Sequence, residues 1–143
     1  MMNSKFYKEP SIKNHLCTSG VIVREGKVLL GNRVYNEANV WIAPGGRCDA
    51  NEKPEDTLLR EVAEEIGVTD AMIVRKLGEK DGAYADERGR DRVIVFEVHT
   101  QQEPRLVEPE KFRSWEWFGL NELPDNLLDP HDREFFEKAI RAN

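Results

Sequence analysis

Long apolar runs are missing from this sequence. The longest clean one is Val93–Phe96, far short of the roughly 18 residues that a membrane span needs, so no membrane partner is expected. Cysteine is scarce. Cys17 and Cys48 are the only two in 143 residues, which provides neither a disulfide framework nor a zinc site. The opening MMNSKFYKEPSIKNH lacks an apolar h-region, so no secretory signal is expected and a reduced, cytoplasmic setting is. A basic excess is lacking too: 21 Lys+Arg against 27 Asp+Glu leave a formal charge of −6. That balance argues against a nucleic-acid partner, which usually demands a basic footprint. Repeats, low-complexity tracts and Pro/Gly/Ser-rich linkers are absent, so one domain over 15–143 is expected, with a polar arm over 1–14 before it.

What is present is a globular composition, 39% hydrophobic and 34% charged, with clear periodic segments. Leu16–Arg24 and Lys27–Arg33 are apolar, β-branched runs around Glu25-Gly26, which predicts a hairpin. A short strand is expected over Val40–Ala43, followed by the breaker Pro44-Gly45-Gly46. Ala71–Leu77, Arg92–Thr100 and Phe112–Phe118 read as further strands. Helical spacing starts at Pro54, a favoured first position, with Glu55 and Asp56 at the positive end of the dipole. Leu58, Leu59, Val62, Ala63 and Ile66 share an arc of roughly 140°, and Gly67 is a fitting stop. A last helix opening at Asp129-Pro130 turns Phe135, Phe136 and Ile140 inward. The order β-β-β-α-β-β-β-α predicts an α/β (α+β) fold, a mixed sheet with helices packed on it.

The first helix also carries Glu61, Glu64 and Glu65, at i, i+3 and i+4, within an arc of roughly 100°. Three like charges so placed repel by a few tenths of a kcal/mol per pair. A hard cation such as Mg²⁺ would remove that cost, while a solvated acidic face is the plainer reading.

The surrounding stretch, GRCDANEKPEDTLLREVAEEIGV, resembles the Nudix box G-x5-E-x7-R-E-U-x-E-E-x-G-U at every fixed position. Those positions are Gly46, Glu52, Arg60, Glu61, Val62, Glu64, Glu65, Gly67 and Val68. At ordinary residue frequencies the chance of such a match at one start point is on the order of one in a billion. The preceding WIAPGG is similar to the lead-in of many Nudix hydrolases.

This resemblance implies a mixed sheet between helices, an α/β/α sandwich, and hydrolysis of a nucleoside diphosphate linked to another moiety. It implies Mg²⁺, with Mn²⁺ as the alternative, held by Glu61, Glu64, Glu65 and the backbone carbonyl of Gly45. A carboxylate, Glu61 or Glu64 among them, then deprotonates the attacking water; which one is open. Arg60 and Glu52 are expected to pair and hold the loop against the helix. MutT-like members carry a metal-binding Glu just before a Trp in a late strand, which points to Glu116, with Glu110 in reserve.

For the substrate, the resemblance of VEPEKFRSWEWFGLNELP to MutT-like enzymes implies a nucleoside triphosphate, cleaved to the monophosphate and pyrophosphate. No proline lies between Pro54 and Pro104, where many ADP-ribose hydrolases carry one. Tyr84 lies near the stacking tyrosine of dinucleoside polyphosphate hydrolases. Nucleotide sugars are a further alternative. Arg33 is a candidate phosphate contact, and Trp41, Tyr35, Phe112 and Tyr84 are candidates for an aromatic wall under a base. A non-catalytic nucleotide-sensing module is the reading from another class, disfavoured because every box carboxylate is present. The polar arm and apolar last helix are compatible with a homodimer.

Overall fold

The computed structural model describes residues 15–35, 38–82 and 91–143. The expected arm over 1–14 and Tyr84 lie outside the described residues. Chain order is β1 (Leu16–Arg24), β2 (Lys27–Tyr35), β3 (Ala38–Ile42), β4 (Gly45–Arg47), α1 (Pro54–Ile66), β5 (Met72–Asp81), β6 (Arg92–His99), β7 (Phe112–Gly119) and α2 (Asp132–Arg141), with a 3-10 turn at Leu120–Glu122. Among the described residues no helix is long and apolar enough to cross a membrane.

The seven strands join along the path β3-β2-β1-β6-β5, with β4 on β1 and β7 on β2. All pairs are antiparallel except β1 with β6, which runs parallel from Leu16↔Arg92 to Ile22↔Val98. The β1–β2 connection is a tight hairpin in which Glu25 (φ 51°) and Gly26 (φ 75°) both take positive φ, the type I′ geometry that suits twisted strands.

Beyond the hairpin the sheet forks. Val23 and Arg24 of β1 pair with β2, but Cys17, Thr18 and Ser19 pair with β4. Strand β2 meanwhile diverges to run between β3 and β7.

Side chains alternate across the sheet, which makes two cores. On one face Ile22, Leu29, Phe96 and Val98 meet Leu58, Val62 and Ile66 of α1. On the other, Val21, Val28, Leu30 and Val95 meet Phe136 and Ala139 of α2. Each such burial is worth about 1.5–3 kcal/mol, so the helices are clamped to opposite faces of a mixed sheet, an α/β/α sandwich.

Several boundaries differ from the expectation. Pro44-Gly45-Gly46 does not simply break the chain: Gly45–Arg47 forms β4. Three residues, two of them glycine, give no periodicity from which to read a strand. Strand β5 continues past Leu77 to Asp81, with register shifts on the way. Helix α2 starts at Asp132 rather than Asp129; Phe136 and Ala139 are its fully buried residues, and Phe135 and Ile140 are half-buried.

Candidate active site

The loop between β4 and α1 is organised by one ion pair. Arg60 Nε donates to Glu52 Oε2 and its Nη2 to Glu52 Oε1, both at 3.0 Å, a two-pronged contact of the strong kind. Glu52 also accepts the Asp49 amide at 3.0 Å and the Thr57 hydroxyl at 2.7 Å. Arg60, followed by the Asp49 amide and Thr57, holds the Glu52 carboxyl down to about 2. Arg60 further donates through Nη1 to Glu61 Oε1 at 2.8 Å and through Nη2 to the Arg47 carbonyl at 3.3 Å. One guanidinium thus ties the loop, β4 and α1 together.

The acidic arc of α1 does not face water evenly. Glu64 has half its side chain exposed, but Glu65 is 8% exposed and Glu61 nearly as covered. The arc is turned onto β4, where glycine leaves the room. A Cβ on Gly46 would stand 2.3 Å from Glu61 Oε2, and one on Gly45 would stand 2.1 Å from the Thr18 carbonyl.

With that gap filled by backbone alone, the Gly45 amide donates to Glu65 Oε1 at 3.0 Å. Burial pushes the Glu65 carboxyl up to about 8; the Gly45 amide and Arg33 oppose the rise, and the charges of Glu61 and Glu108 add to it. Glu61 is raised as well, first by burial, against the pull of Arg60.

Among the described residues, no three acidic, His or Cys side chains already converge as a cation cage. Arg60 Nη1 bridges Glu61 Oε1 at 2.8 Å and Glu64 Oε1 at 3.4 Å. The donor chemistry nevertheless fits a hard divalent cation: carboxylate oxygens, a neighbouring backbone carbonyl, and at Glu65 a buried carboxyl met by a backbone amide. Glu61, Glu64, Glu65 and the Gly45 carbonyl are the groups able to hold it.

The structure brings Arg33 toward Glu65, and Glu116 has its own surroundings. Arg33, on β2, lies 5.0 Å from the Tyr35 ring and 5.3 Å from the Phe112 ring, near enough to Glu65 to lower its pKa. Its buried Nε has no hydrogen-bond partner. Trp115 and Trp117 pack on the α1-side core, so the alternation turns Glu116 to the opposite face, beside its register partner Leu30. There it is exposed and accepts the Ser114 hydroxyl at 2.7 Å.

The aromatic wall also changes. Phe112 is fully buried. Trp41 is half-buried on the α2-side core, edge-on to Phe118 at 4.9 Å. Phe112 thus presents no open stacking face.

Glu108 is the residue the sequence reading missed. Its charge acts on both Glu61 and Glu65. The EPEK segment held the signal. Its carbonyl accepts the Lys111 amide at 2.9 Å, so Glu108 opens a β-turn with Pro109 at the favoured second position. Glu108 is half-buried and accepts from Lys111 Nζ at 3.3 Å, while Glu110, the reserve candidate, sits exposed at the turn's tip.

Comparison with known proteins agrees with this arrangement. Residues 13–139 match the family model of the NUDIX domain. A putative 8-oxo-dGTP diphosphatase 2 of Mycobacterium tuberculosis is 32% identical over 132 residues, covering 90% of each chain. An RNA pyrophosphohydrolase of Gluconacetobacter diazotrophicus is 29% identical, covering 82% of this chain and 83% of its own. Among solved structures, a MutT NUDIX hydrolase from Burkholderia pseudomallei superposes with a TM-score of 0.73 at 32% identity, covering 88% of this chain and 98% of that one.

Proposed function

The chain belongs to the NUDIX family and is a hydrolase of pyrophosphate bonds, and from that premise we propose that it converts a free nucleoside triphosphate to the monophosphate and pyrophosphate. The observation that carries the reading is the packing of a buried Glu65 and a half-buried Glu61 against the Gly45–Gly46 strand. A polyanionic substrate meets buried carboxylates productively only through bridging cations.

Glu61, Glu64, Glu65 and the Gly45 carbonyl hold Mg²⁺ or Mn²⁺ in this reading, with Glu108 as the additional carboxylate. When bound, the cation neutralises charge on the departing phosphate and lowers the pKa of a water. Glu61 or Glu64 accepts the proton of the attacking water as its oxygen bonds to phosphorus and the bridging P–O bond breaks. Glu52 and Arg60 keep the loop and helix in register, and Arg33 meets the phosphates.

The relative named for 8-oxo-dGTP supports a free triphosphate, and a charge of −6 disfavours a long polyanion. An RNA substrate is the second reading, favoured by relatives named RNA pyrophosphohydrolase. The test is product analysis with Mg²⁺: pyrophosphate released from 8-oxo-dGTP, ordinary dNTPs and 5′-triphosphorylated RNA, and mononucleotide released from a dinucleoside polyphosphate, a UDP-sugar and ADP-ribose. Free triphosphates should turn over, and Glu65→Gln should lower kcat about 10²-fold or more with the fold retained. Turnover confined to the UDP-sugar, ADP-ribose or dinucleoside substrates would overturn the reading; turnover confined to RNA would install the second one.

A further inference from the structure

A threonine stands where α1 should meet water. At about 100° per residue, Thr57 falls between Glu64 and Glu61 around the helix, and the Nudix box fixes no residue type at this position. Thr57 is nevertheless fully buried, at 0% exposure. The loop ahead of the helix covers it. The Cys48 amide ties that loop to the Leu16 carbonyl at 2.8 Å, and the Glu52 amide closes on the Asp49 carbonyl at 3.0 Å. Glu52 Oε1 then lies 2.7 Å from the Thr57 hydroxyl.

A hydroxyl has a single proton to donate. Two acceptors compete for it, Glu52 Oε1 at 2.7 Å and the Lys53 carbonyl at 3.2 Å. The shorter contact, to a charged oxygen, is the stronger one, so the proton goes to Glu52.

That contact bears on the aim of Arg60. Four carboxylates ring its guanidinium: Asp49 at 3.7 Å, Glu52 at 3.0 Å, Glu61 at 2.8 Å and Glu64 at 3.4 Å. Charge alone does not choose among neighbours so close. Geometry does, because the two-pronged contact to Glu52 uses Nε and Nη2 and leaves Nη1 for Glu61 and Glu64.

Thr57 stands one turn before Arg60, so the pair grips Glu52 from two points on one helix. The Asp49 amide, the remaining donor to Glu52, belongs to the same loop and cannot tie it to α1. Without the hydroxyl, the grip rests on Arg60, a long side chain with much rotamer freedom.

We propose that Thr57 is a positioning residue of the hydrolase site: its hydroxyl fixes the Glu52 carboxylate, which sets the fork of Arg60 and through it the Glu61 carboxylate. The inference rests on the assignment of Glu61 to the site made above.

The experiment compares wild type, Thr57→Val, Thr57→Ser and Glu61→Gln as full chains. Valine keeps the shape and loses the donor; serine keeps the donor and loses a buried methyl group. Each protein is assayed for kcat, KM and the Mg²⁺ concentration giving half-maximal rate, on whichever substrate of the panel above turns over fastest. Tm is recorded alongside. Thr57→Val should lower kcat about ten-fold and raise the Mg²⁺ requirement, with KM for the nucleotide little changed. Thr57→Ser should stay close to wild type in all three, even where its Tm falls.

Activity that follows Tm across the two Thr57 variants, instead of following the hydroxyl, would overturn the positioning role. Wild-type kcat and Mg²⁺ response in a folded Thr57→Val protein, beside an inactive Glu61→Gln, would overturn it while leaving Glu61 in the site. Full activity in Glu61→Gln would remove Glu61 from the site, and this inference with it. Should Thr57→Val not fold, Thr57→Ala, which also lacks the donor and sets no methyl group against the carboxylate, carries the same comparison.

Discussion

Adjacent glycines at positions 45 and 46 exclude a side chain for different reasons, and the difference is measurable. A methyl group at 45 meets the Thr18 backbone, which cannot yield without breaking the β1–β4 ladder. A methyl group at 46 meets the far end of the Glu61 side chain, which can swing away. Gly45→Ala should therefore destabilise the fold by more than about 2 kcal/mol in urea titration. Gly46→Ala should leave Tm nearly unchanged and cut Mg²⁺-dependent turnover. Equal stability losses in the two variants would contradict this reading.

The Glu52–Arg60 pair makes a second prediction at the same scale. A carboxyl held near 2 instead of the usual 4.5 binds fewer protons folded than unfolded between those values. Its stabilisation is thus present above about 4.5 and lost as pH falls toward about 2. Thermal melts from pH 6 to pH 2 should show that loss, and Glu52→Gln should flatten it. Cys17 supplies a third: burial, then the neighbouring Asp91, push its thiol up to about 12. At pH 8 iodoacetamide should modify it far more slowly than a small free thiol, since the thiolate is the nucleophile.

At the scale of elements, α1 shows how much the residues disclosed. Its bounds were legible because apolar spacing, Pro54 and Gly67 agree, and the amide of Gly67 does close on the Ala63 carbonyl. Leu58, fully buried by this helix, should cost about 2–5 kcal/mol when cut to alanine, read from the shift in urea midpoint. The three-carboxylate arc was equally legible, but its environment was not. A helical wheel ranks residues around an axis and cannot say that β4, rather than water, covers Glu65. Strand β4 itself was hidden because glycine carries no alternation.

The late carboxylate was legible only in part, for a related reason. Glu116 sits in a readable strand, and alternation shows only that it opposes the tryptophans, not which face holds the site. Glu108 opens the turn before β7, and its electrostatic link to Glu61 and Glu65 joins positions far apart in the chain. Trp41 and Phe112 looked like a stacking wall by residue type, and packing took Phe112.

For the whole molecule, the fork of the sheet is what separates the two sets of site groups. Strand β1 exchanges β2 for β4 along its length, so α1 with its carboxylates sits on one branch and Arg33 on the other. A cation joining the groups on α1 and β4 binds the folded chain and not the unfolded one. Mg²⁺ at about 100 times its Kd should then add about 2.7 kcal/mol of stability. Differential scanning calorimetry with and without Mg²⁺ would read the shift, and Glu65→Gln should abolish most of it.

The parallel pairing of β1 with β6 reaches past the time at which each is made. A ribosome releases Leu16–Ile22 long before Arg92–Val98, its partner from end to end. The hairpin of β1 and β2 can close at once, but one edge of β1 and the apolar faces of Val21 and Ile22 must wait for strands and helices still unmade. Pairing over such sequence separation carries a large loop-closure entropy and slows folding. The nascent chain is therefore exposed to aggregation throughout that interval, and its window of risk during synthesis is set by the distance from β1 to β6.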